Sequence, residues 1–232
     1  MNCWKTVLND KIQKYNQSIR QQVYLYDEMQ TSLAKSMHYL TNGRIDSVLE
    51  IGAGTGNLTR AVLENNQITK IYIVDINKEM LTICKDSLSE IVKNQGCQIE
   101  YTCQDIYEFP FKTICLQDFI ISSFTLHHAS AQDNLELYKS IFFVLKAGGT
   151  FLNLDLIKSN NPQINSILTA QFHDFLVKNM GRDQAEETIR QCGEIDNPLD
   201  EHEILMQLDS AGFRSYGTLF KVFNFTLFAA IK

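Results

Sequence analysis

Val48-Leu49-Glu50-Ile51-Gly52-Ala53-Gly54-Thr55-Gly56-Asn57-Leu58-Thr59 is the stretch that decides the fold of this chain. An apolar run of β type leads without interruption into three glycines at alternate positions and then into a helix-forming segment. Glycine admits positive φ and lets a ligand approach the backbone, while the helix that follows presents free N–H groups. The stretch therefore reads as strand, ligand-binding turn and helix. The dinucleotide fingerprint G-x-G-x-x-G would need glycine at 57 or at 59, where Asn57 and Thr59 stand, so NAD fits poorly. No lysine lies in the loop, which excludes the phosphate-gripping G-x-x-x-x-G-K-[ST] pattern. What remains is acid-x-G-x-G-x-G, formed by Glu50, Gly52, Gly54 and Gly56. A carboxylate just ahead of the loop suits a ligand carrying an ammonium or sulfonium charge and repels a pyrophosphate. A ligand-free turn is the plainer reading, but three close glycines, each costing about 0.5–1 kcal/mol relative to Ala in regular structure, ask for a reason.

Outward from this turn the pattern repeats. Short β-type runs at 46–51, 70–74, 98–101, 119–122 and 150–154 alternate with helical segments at 57–65, 77–93 and 132–145. Such alternation implies right-handed crossovers and a parallel sheet with helices on both faces. Before it, residues 1–40 carry apolar positions at helical spacing (Ile12, Tyr15, Ile19, Val23, then Met29, Leu33, Met37, Leu40) and predict two covering helices. After it, 160–198 breaks the rhythm. Ile164, Ile167, Leu168, Phe172, Phe175 and Leu176 trace one helix face, and 183–191 forms a second helix with a Glu186–Arg190 pair, so the insert reads as a lid. A helix over 200–210, stopped by Gly212, and one long strand or two paired strands over 217–231 complete the core from 199 to 232.

The chain has 232 residues, enough for one large domain and short for two. With 44% apolar and 21% charged residues and only 3 Pro, it falls outside the disordered and fibrous classes. A formal charge of −6 disfavours a phosphate-backbone footprint, so nucleic acid is not expected as a partner. The 6 cysteines, Cys3, Cys84, Cys97, Cys103, Cys115 and Cys192, show no C-x-x-C pair and no nearby His of zinc-site spacing, and no metal is expected. No stretch approaches 18 consecutive apolar residues, and the first residues lack the apolar run of a secretory signal, which together predict a soluble, cytoplasmic protein with free thiols.

Two further acids fit the glycine turn. Asp75 ends the second strand, where an acid can accept both hydroxyls of a ribose; the competing role is a helix N-cap, open to Asp75 or Asn77. Asp105 follows the third strand, where it can accept an exocyclic adenine amine.

Taken together these residues resemble class I S-adenosylmethionine (SAM)-dependent methyltransferases over residues 45–157. Leu49-Glu50-Ile51-Gly52-Ala53-Gly54-Thr55-Gly56 is similar to their first motif, Val74-Asp75-Ile76 to the ribose acid, and Cys103-Gln104-Asp105-Ile106 to the adenine turn. The segment 118–128, ending Ser122-Ser123-Phe124-Thr125-Leu126-His127-His128, resembles the fourth-strand segment beside the methionine moiety, and 145–151 the turn before strand five. The resemblance implies an α/β fold with a Rossmann-like, seven-stranded, mostly parallel sheet, and SAM as cofactor. It also implies cofactor contacts from Glu50, Gly52, Ala53, Gly54, Thr55, Gly56, Asp75, Ile76, Met80, Asp105, Ile106, Ser122 and Phe124. The amino-terminal helices and the late insert resemble small-molecule methyltransferases, and also relatives that make carboxy-SAM. The Tyr-Asp pair common in the first helix of that group reads Tyr15-Asn16 here.

Methyl transfer from a sulfonium is an in-line displacement, which asks the protein to align a nucleophile, exclude water and sometimes accept a proton. His127 and His128 are the candidates for orienting a small-molecule acceptor or taking its proton, with Tyr15 beside them; helix-entry packing is the plainer role for the pair. Tyr15, Tyr26, Phe124 and Phe172 are candidates for an aromatic pocket facing the sulfonium, with Phe172 better suited to a helix core. The segments 1–40 and 160–198 are expected to form the acceptor pocket together. The same motifs would also serve an RNA- or protein-directed methyltransferase, or a catalytically silent SAM-binding protein.

Overall fold

The computed structural model describes residues 9–41 and 44–232, with side chains from Tyr15 onward. Cys3 and the side chain of Ile12 lie outside the described residues. Two helices, α1 (Asn9–Gln22) and α2 (Tyr26–Leu40), precede β1 (Ile45–Ile51), α3 (Asn57–Asn65), β2 (Ile68–Asp75), α4 (Lys78–Gln95) and β3 (Gln98–Cys103). Then come β4 (Gln117–Ser123), α5 (Ala131–Val144), β5 (Leu145–Leu156), α6 (Pro162–Met180), α7 (Arg182–Ile195), α8 (Glu201–Ala211), β6 (Ser215–Val222) and β7 (Phe225–Ile231).

The seven strands form one sheet in the order β3-β2-β1-β4-β5-β7-β6. β1 pairs in parallel with β2 on one side and β4 on the other, so the chain reverses its direction of winding at β1. Only β7 runs against its neighbours β5 and β6. A Rossmann-like, mostly parallel sheet is thus present as expected. Val48, Leu49 and Ile51 are fully buried because both faces of β1 are covered, which is why the strand reads as a nearly continuous apolar run.

Alternate residues of the central strands feed two cores. Val48, Ile71, Ile73, Phe119 and Ile121 pack with α1 to α4, whereas Leu49, Ile51, Ile120 and Phe151 pack with α5 and α8. The α2 face buries Met29, Leu33, Ala34 and Met37, and each such Leu or Met contributes about 1.5–3 kcal/mol over an exposed position.

Two details differ from the sequence reading, the start of β5 and an ion pair on α7, and a third decides between the alternatives it left open at the carboxyl end. β5 begins at Leu145, directly behind α5, because Leu145 already pairs with Gln117; the two glycines 148 and 149 then absorb a register shift before Thr150. The carboxyl end is two antiparallel strands joined at Phe223-Asn224, with Phe223 at φ 54° making the turn. On α7, Arg190 pairs with Glu187 at 2.7 Å and Glu194 at 2.5 Å in place of Glu186, which instead faces Arg182 at 3.9 Å. All three of these pairs are exposed and contribute little.

α8 starts with a capping box. The Asp200 carboxylate accepts the Glu203 N–H and the Glu203 carboxylate accepts the Asp200 N–H, both at 3.0 Å. Asp200→Ala is expected to lower the unfolding free energy by about 1 kcal/mol in urea denaturation with an unchanged m-value.

Candidate active site

At the carboxyl edge of the sheet, beside the winding reversal at β1, lies a cavity of about 390 Å³, where open α/β sheets place their ligands. Its floor is the glycine turn. Gly52, Gly54 and Gly56 all have positive φ, at 68°, 54° and 86°, but they serve different ends. A Cβ on Gly52 would fall inside the Thr125 side chain, so that glycine lets the β4–α5 loop cross the turn. A Cβ on Gly54 would meet only the Met80 sulfur, 3.9 Å away, and would otherwise project into the cavity. Gly56 does not line the cavity; it starts α3 and lies against Cys84.

Asp75 reaches this floor from β2. Its carboxylate accepts the Gly54 N–H and the Asn77 N–H, each at 2.8 Å, and still lines the cavity. Burial raises its pKa against those hydrogen bonds. The helix-cap role open to either residue falls to Asn77, which accepts the Met80 N–H at 3.0 Å. On the far wall, Asp105 accepts the Tyr107 N–H, and Ile76, Met80 and Ile106 supply apolar surface.

The roof comes from the amino-terminal helices. Tyr15 and Tyr26 line the cavity, and Asn16 ties α1 to the turn, its side-chain oxygen accepting from Thr55 Oγ1 at 2.5 Å and Asn57 Nδ2 at 2.9 Å. Burial, with Tyr26 and Asp75 nearby, lifts the Tyr15 phenol far above its usual range, so it stays protonated. Phe124 occupies the left-handed region at φ 51°, a costly conformation for a bulky residue that is typical of functional sites. Its ring stacks on Tyr26 at 5.7 Å and lines the cavity.

Of the cofactor residues expected from the sequence, Gly52, Ala53, Gly54, Thr55, Asp75, Ile76, Met80, Asp105, Ile106 and Phe124 come together around this cavity. Glu50, Gly56 and Ser122 do not. Glu50 is only 1% exposed and accepts from Thr59 Oγ1 at 2.7 Å, which places its charge behind the turn. Ser122 points to the opposite side of β4, donating to the Ile51 carbonyl at 3.1 Å, and its neighbour Ser123 faces the cavity instead. Strand alternation carried this signal and a one-residue slip missed it. Asn57, Tyr107 and Thr125 also line the cavity without having been singled out as cofactor contacts.

The histidine pair divides. His128 lines the cavity; His127 turns away, its Nδ1 2.5 Å from the Asp155 carboxylate. Burial depresses the His127 pKa, but the adjacent Asp155 outweighs it and holds the ring more basic than usual, whereas burial makes His128 less basic. Phe172, partly buried, packs against the core edge-on to Phe225 and does not line the cavity. The insert supplies no residue to the cavity lining, contrary to expectation. It backs the roof instead, with Phe175 stacked on Tyr24 at 3.8 Å and Tyr24 donating to the Gln171 carbonyl at 2.9 Å. Its end, at Asp196 and Asn197, is fastened to the loop carrying the histidines, the Asn197 N–H donating to the His127 carbonyl at 2.7 Å.

Residues 48–149 match a family model described as a methyltransferase domain. Over that stretch, which carries the glycine turn, Asp75 and the loop after β4, the chain is similar to methyltransferase domains. Its relatives include the carboxy-S-adenosyl-L-methionine synthase of Trichodesmium erythraeum, 26% identical over 80% of this chain and 72% of the relative. Among solved structures, the pyocyanin biosynthetic protein PhzM superposes with a TM-score of 0.62 at 14% identity, covering 86% of this chain and 54% of that one. Human N-acetylserotonin methyltransferase in complex with SAM gives a TM-score of 0.58 at 19% identity, covering 89% and 53%. This chain thus spans about half the length of those two solved chains, and the likeness is one of fold. Among the described residues no helix of the chain is long and apolar enough to cross a membrane.

The cavity suits the cofactor of this family. The open side of Gly54 is the cradle a Cβ would fill, the Asp75 carboxylate stands at its edge, and two phenols and a phenyl ring supply π faces for a sulfonium.

Burial pushes the Glu50 carboxyl up to about 7 from an ordinary 4.5, against the pull of the Thr59 hydroxyl. Because the folded state holds this proton more tightly than the unfolded state, the effect is absent below about pH 4.5 and destabilises progressively up to about pH 7. Glu50→Gln removes it, so between pH 4.5 and 7.5 the wild type should lose up to about 3 kcal/mol relative to the variant. Parallel stability profiles in urea unfolding would contradict this assignment.

Proposed function

We propose that this chain transfers a methyl group from SAM to a small-molecule acceptor that is neutral or cationic. The observation carrying this reading is the charge of the cavity: among the described residues its lining includes Asp75, Asp105 and Asp133 and neither lysine nor arginine. An anionic acceptor, or the added carboxylate of a carboxy-SAM product, would enter a field of its own sign there.

When bound, SAM supplies an electrophilic methyl group on a sulfonium, open to in-line displacement. Asp75 accepts the ribose hydroxyls, Asp105 the adenine amine, and the exposed backbone at Gly54 lies against the methionine portion. Tyr15, Tyr26 and Phe124 exclude water and present their faces to the positive charge. His128 is the polar side chain placed at the end of β4 to hydrogen-bond the acceptor and aim its lone pair, and His127 holds the loop through Asp155. Alignment of this kind accounts for much of the barrier reduction in a displacement reaction.

Formation of carboxy-SAM is the second reading, favoured by the name of the relative from Trichodesmium erythraeum. Mass spectrometry of the nucleoside that co-purifies with the protein separates the two. SAM or S-adenosylhomocysteine supports methyl transfer, and carboxy-SAM overturns it.

Two substitutions test the residue roles. Asp75→Ala should weaken SAM binding at least tenfold by calorimetry, since a charge-assisted hydrogen bond contributes about 1.5–3 kcal/mol. His128→Ala should leave SAM affinity nearly unchanged and lower kcat ~100-fold with a genuine acceptor. Near wild-type turnover in that variant would leave the reaction to alignment by the aromatic walls alone.

A further inference from the structure

We propose that His127, His128 and Asp196 form a binding site for one divalent first-row transition-metal ion of the zinc type. One ligand atom from each lies within 4.8 Å of the other two. His127 Nε2 is 3.6 Å from Asp196 Oδ1, and His128 Nδ1 is 3.1 Å from the same oxygen. Tetrahedral donors about 2.1 Å from a metal are separated by about 3.4 Å, a spacing these two distances bracket. Two imidazole nitrogens and one carboxylate form a donor set that suits zinc and its neighbours, and three protein donors leave one position open.

The surroundings supply what such a site needs beyond its ligands. His127 Nδ1 faces the Asp155 carboxylate at 2.5 Å, which fixes the tautomer that points the Nε2 lone pair at Asp196. Asp155 is itself held by the Leu126 N–H at 3.0 Å and the Leu156 N–H at 2.9 Å. Asp196 is set at the end of α7, where its N–H donates to the Cys192 carbonyl at 2.8 Å.

Charge counting gives an independent argument. The Asp155 and Asp196 side chains are 3% and 11% exposed, and among the described residues no lysine or arginine pairs with either. One imidazolium leaves a negative charge uncompensated in a buried cluster. Two would place like charges on rings whose centroids are 4.0 Å apart. A single divalent cation with neutral imidazoles balances both carboxylates. The ion would staple the end of the α6–α7 insert to the loop whose other face, at His128, lines the cavity.

The test needs neither SAM nor an acceptor, so it stands apart from the reading of the activity. The full chain is stripped with a chelator, dialysed, and titrated with zinc chloride by calorimetry, with metal content measured after gel filtration. Cobalt(II) provides a visible-absorption signature of the coordination geometry. One ion per chain is expected, with affinity at least ~100-fold weaker in Asp196→Ala and in His128→Ala, and about 10–100-fold weaker in Asp155→Asn. Circular dichroism checks that each variant folds, and Asp196→Asn, which keeps shape and removes charge, replaces any that does not. Absence of stoichiometric binding, or affinity unchanged by the Asp196 and His128 substitutions, overturns the proposal.

Discussion

The Asp75 carboxylate on the Gly54 N–H is the interaction on which this molecule's site depends. β1 and β2 are held side by side by their ladder, but beyond the last ladder bond the two chains diverge toward different helices. A group that reaches from the end of β2 across to the turn after β1 ties the two together at that point. A carboxylate does this well because it accepts several N–H groups at once, here from Gly54 and Asn77, and still presents oxygen to the cavity. A neutral side chain of similar size would hold the turn less firmly and offer the ligand less charge. Burial is the main reason that Tyr15 stays protonated and Glu50 titrates late, and the Asp75 anion adds to it in both cases.

From this junction outward, covering elements are added in layers. Asn16 seats α1 on Thr55 and Asn57, α1 carries Tyr15 over the cavity, and the α6–α7 insert braces the turn between α1 and α2 from outside, Phe175 stacking on Tyr24. The insert therefore acts on the cavity at one remove, by way of the roof and of the loop after β4. Sequence position suggested a lid because the segment interrupts the core rhythm. Its helical spacing gave no sign of which surface it meets, and α6 buries only Leu176 fully. A helix so lightly buried is a brace, and its own amphipathic pattern is a weak guide to its partner.

How far the sequence could be read follows from the range of the interactions involved. The glycine turn and the acids Asp75 and Asp105 are local features, each a few residues long with a backbone reason for its residue types, and the structure brings them together around one cavity. What escaped depends on side-chain direction or on distant partners. Ser122 and Ser123 have the same chemistry, and only the pleat of β4 decides which one faces the cavity. Glu50 lies one residue before the strand's end, where the alternation turns it behind the loop toward Thr59. Asn16 was visible as a departure from the Tyr-Asp pair of similar proteins, yet its partners Thr55 and Asn57 lie on the far side of β1.

The histidine loop shows the same limit from the other direction. His127 and His128 are adjacent and their ring centroids lie 4.0 Å apart, yet the two rings meet different surroundings. One ring faces the cavity and the other faces Asp155 behind it. Asp155 sits on β5 and Asp196 at the end of an insert, so the two carboxylates that define the electrostatics of this loop are distant in sequence from the histidines and from each other. Their convergence is a property of the parallel sheet. β5 lies beside β4 in register, with Ser123 opposite Leu154, and this places Asp155 level with the chain leaving β4. The insert that leaves β5 returns at Asp196 and Asn197 to the same point, because α8 must start close by to cover the sheet. Topology thus assembles a buried cluster of two imidazoles and two carboxylates at the one loop whose other face is the cavity wall.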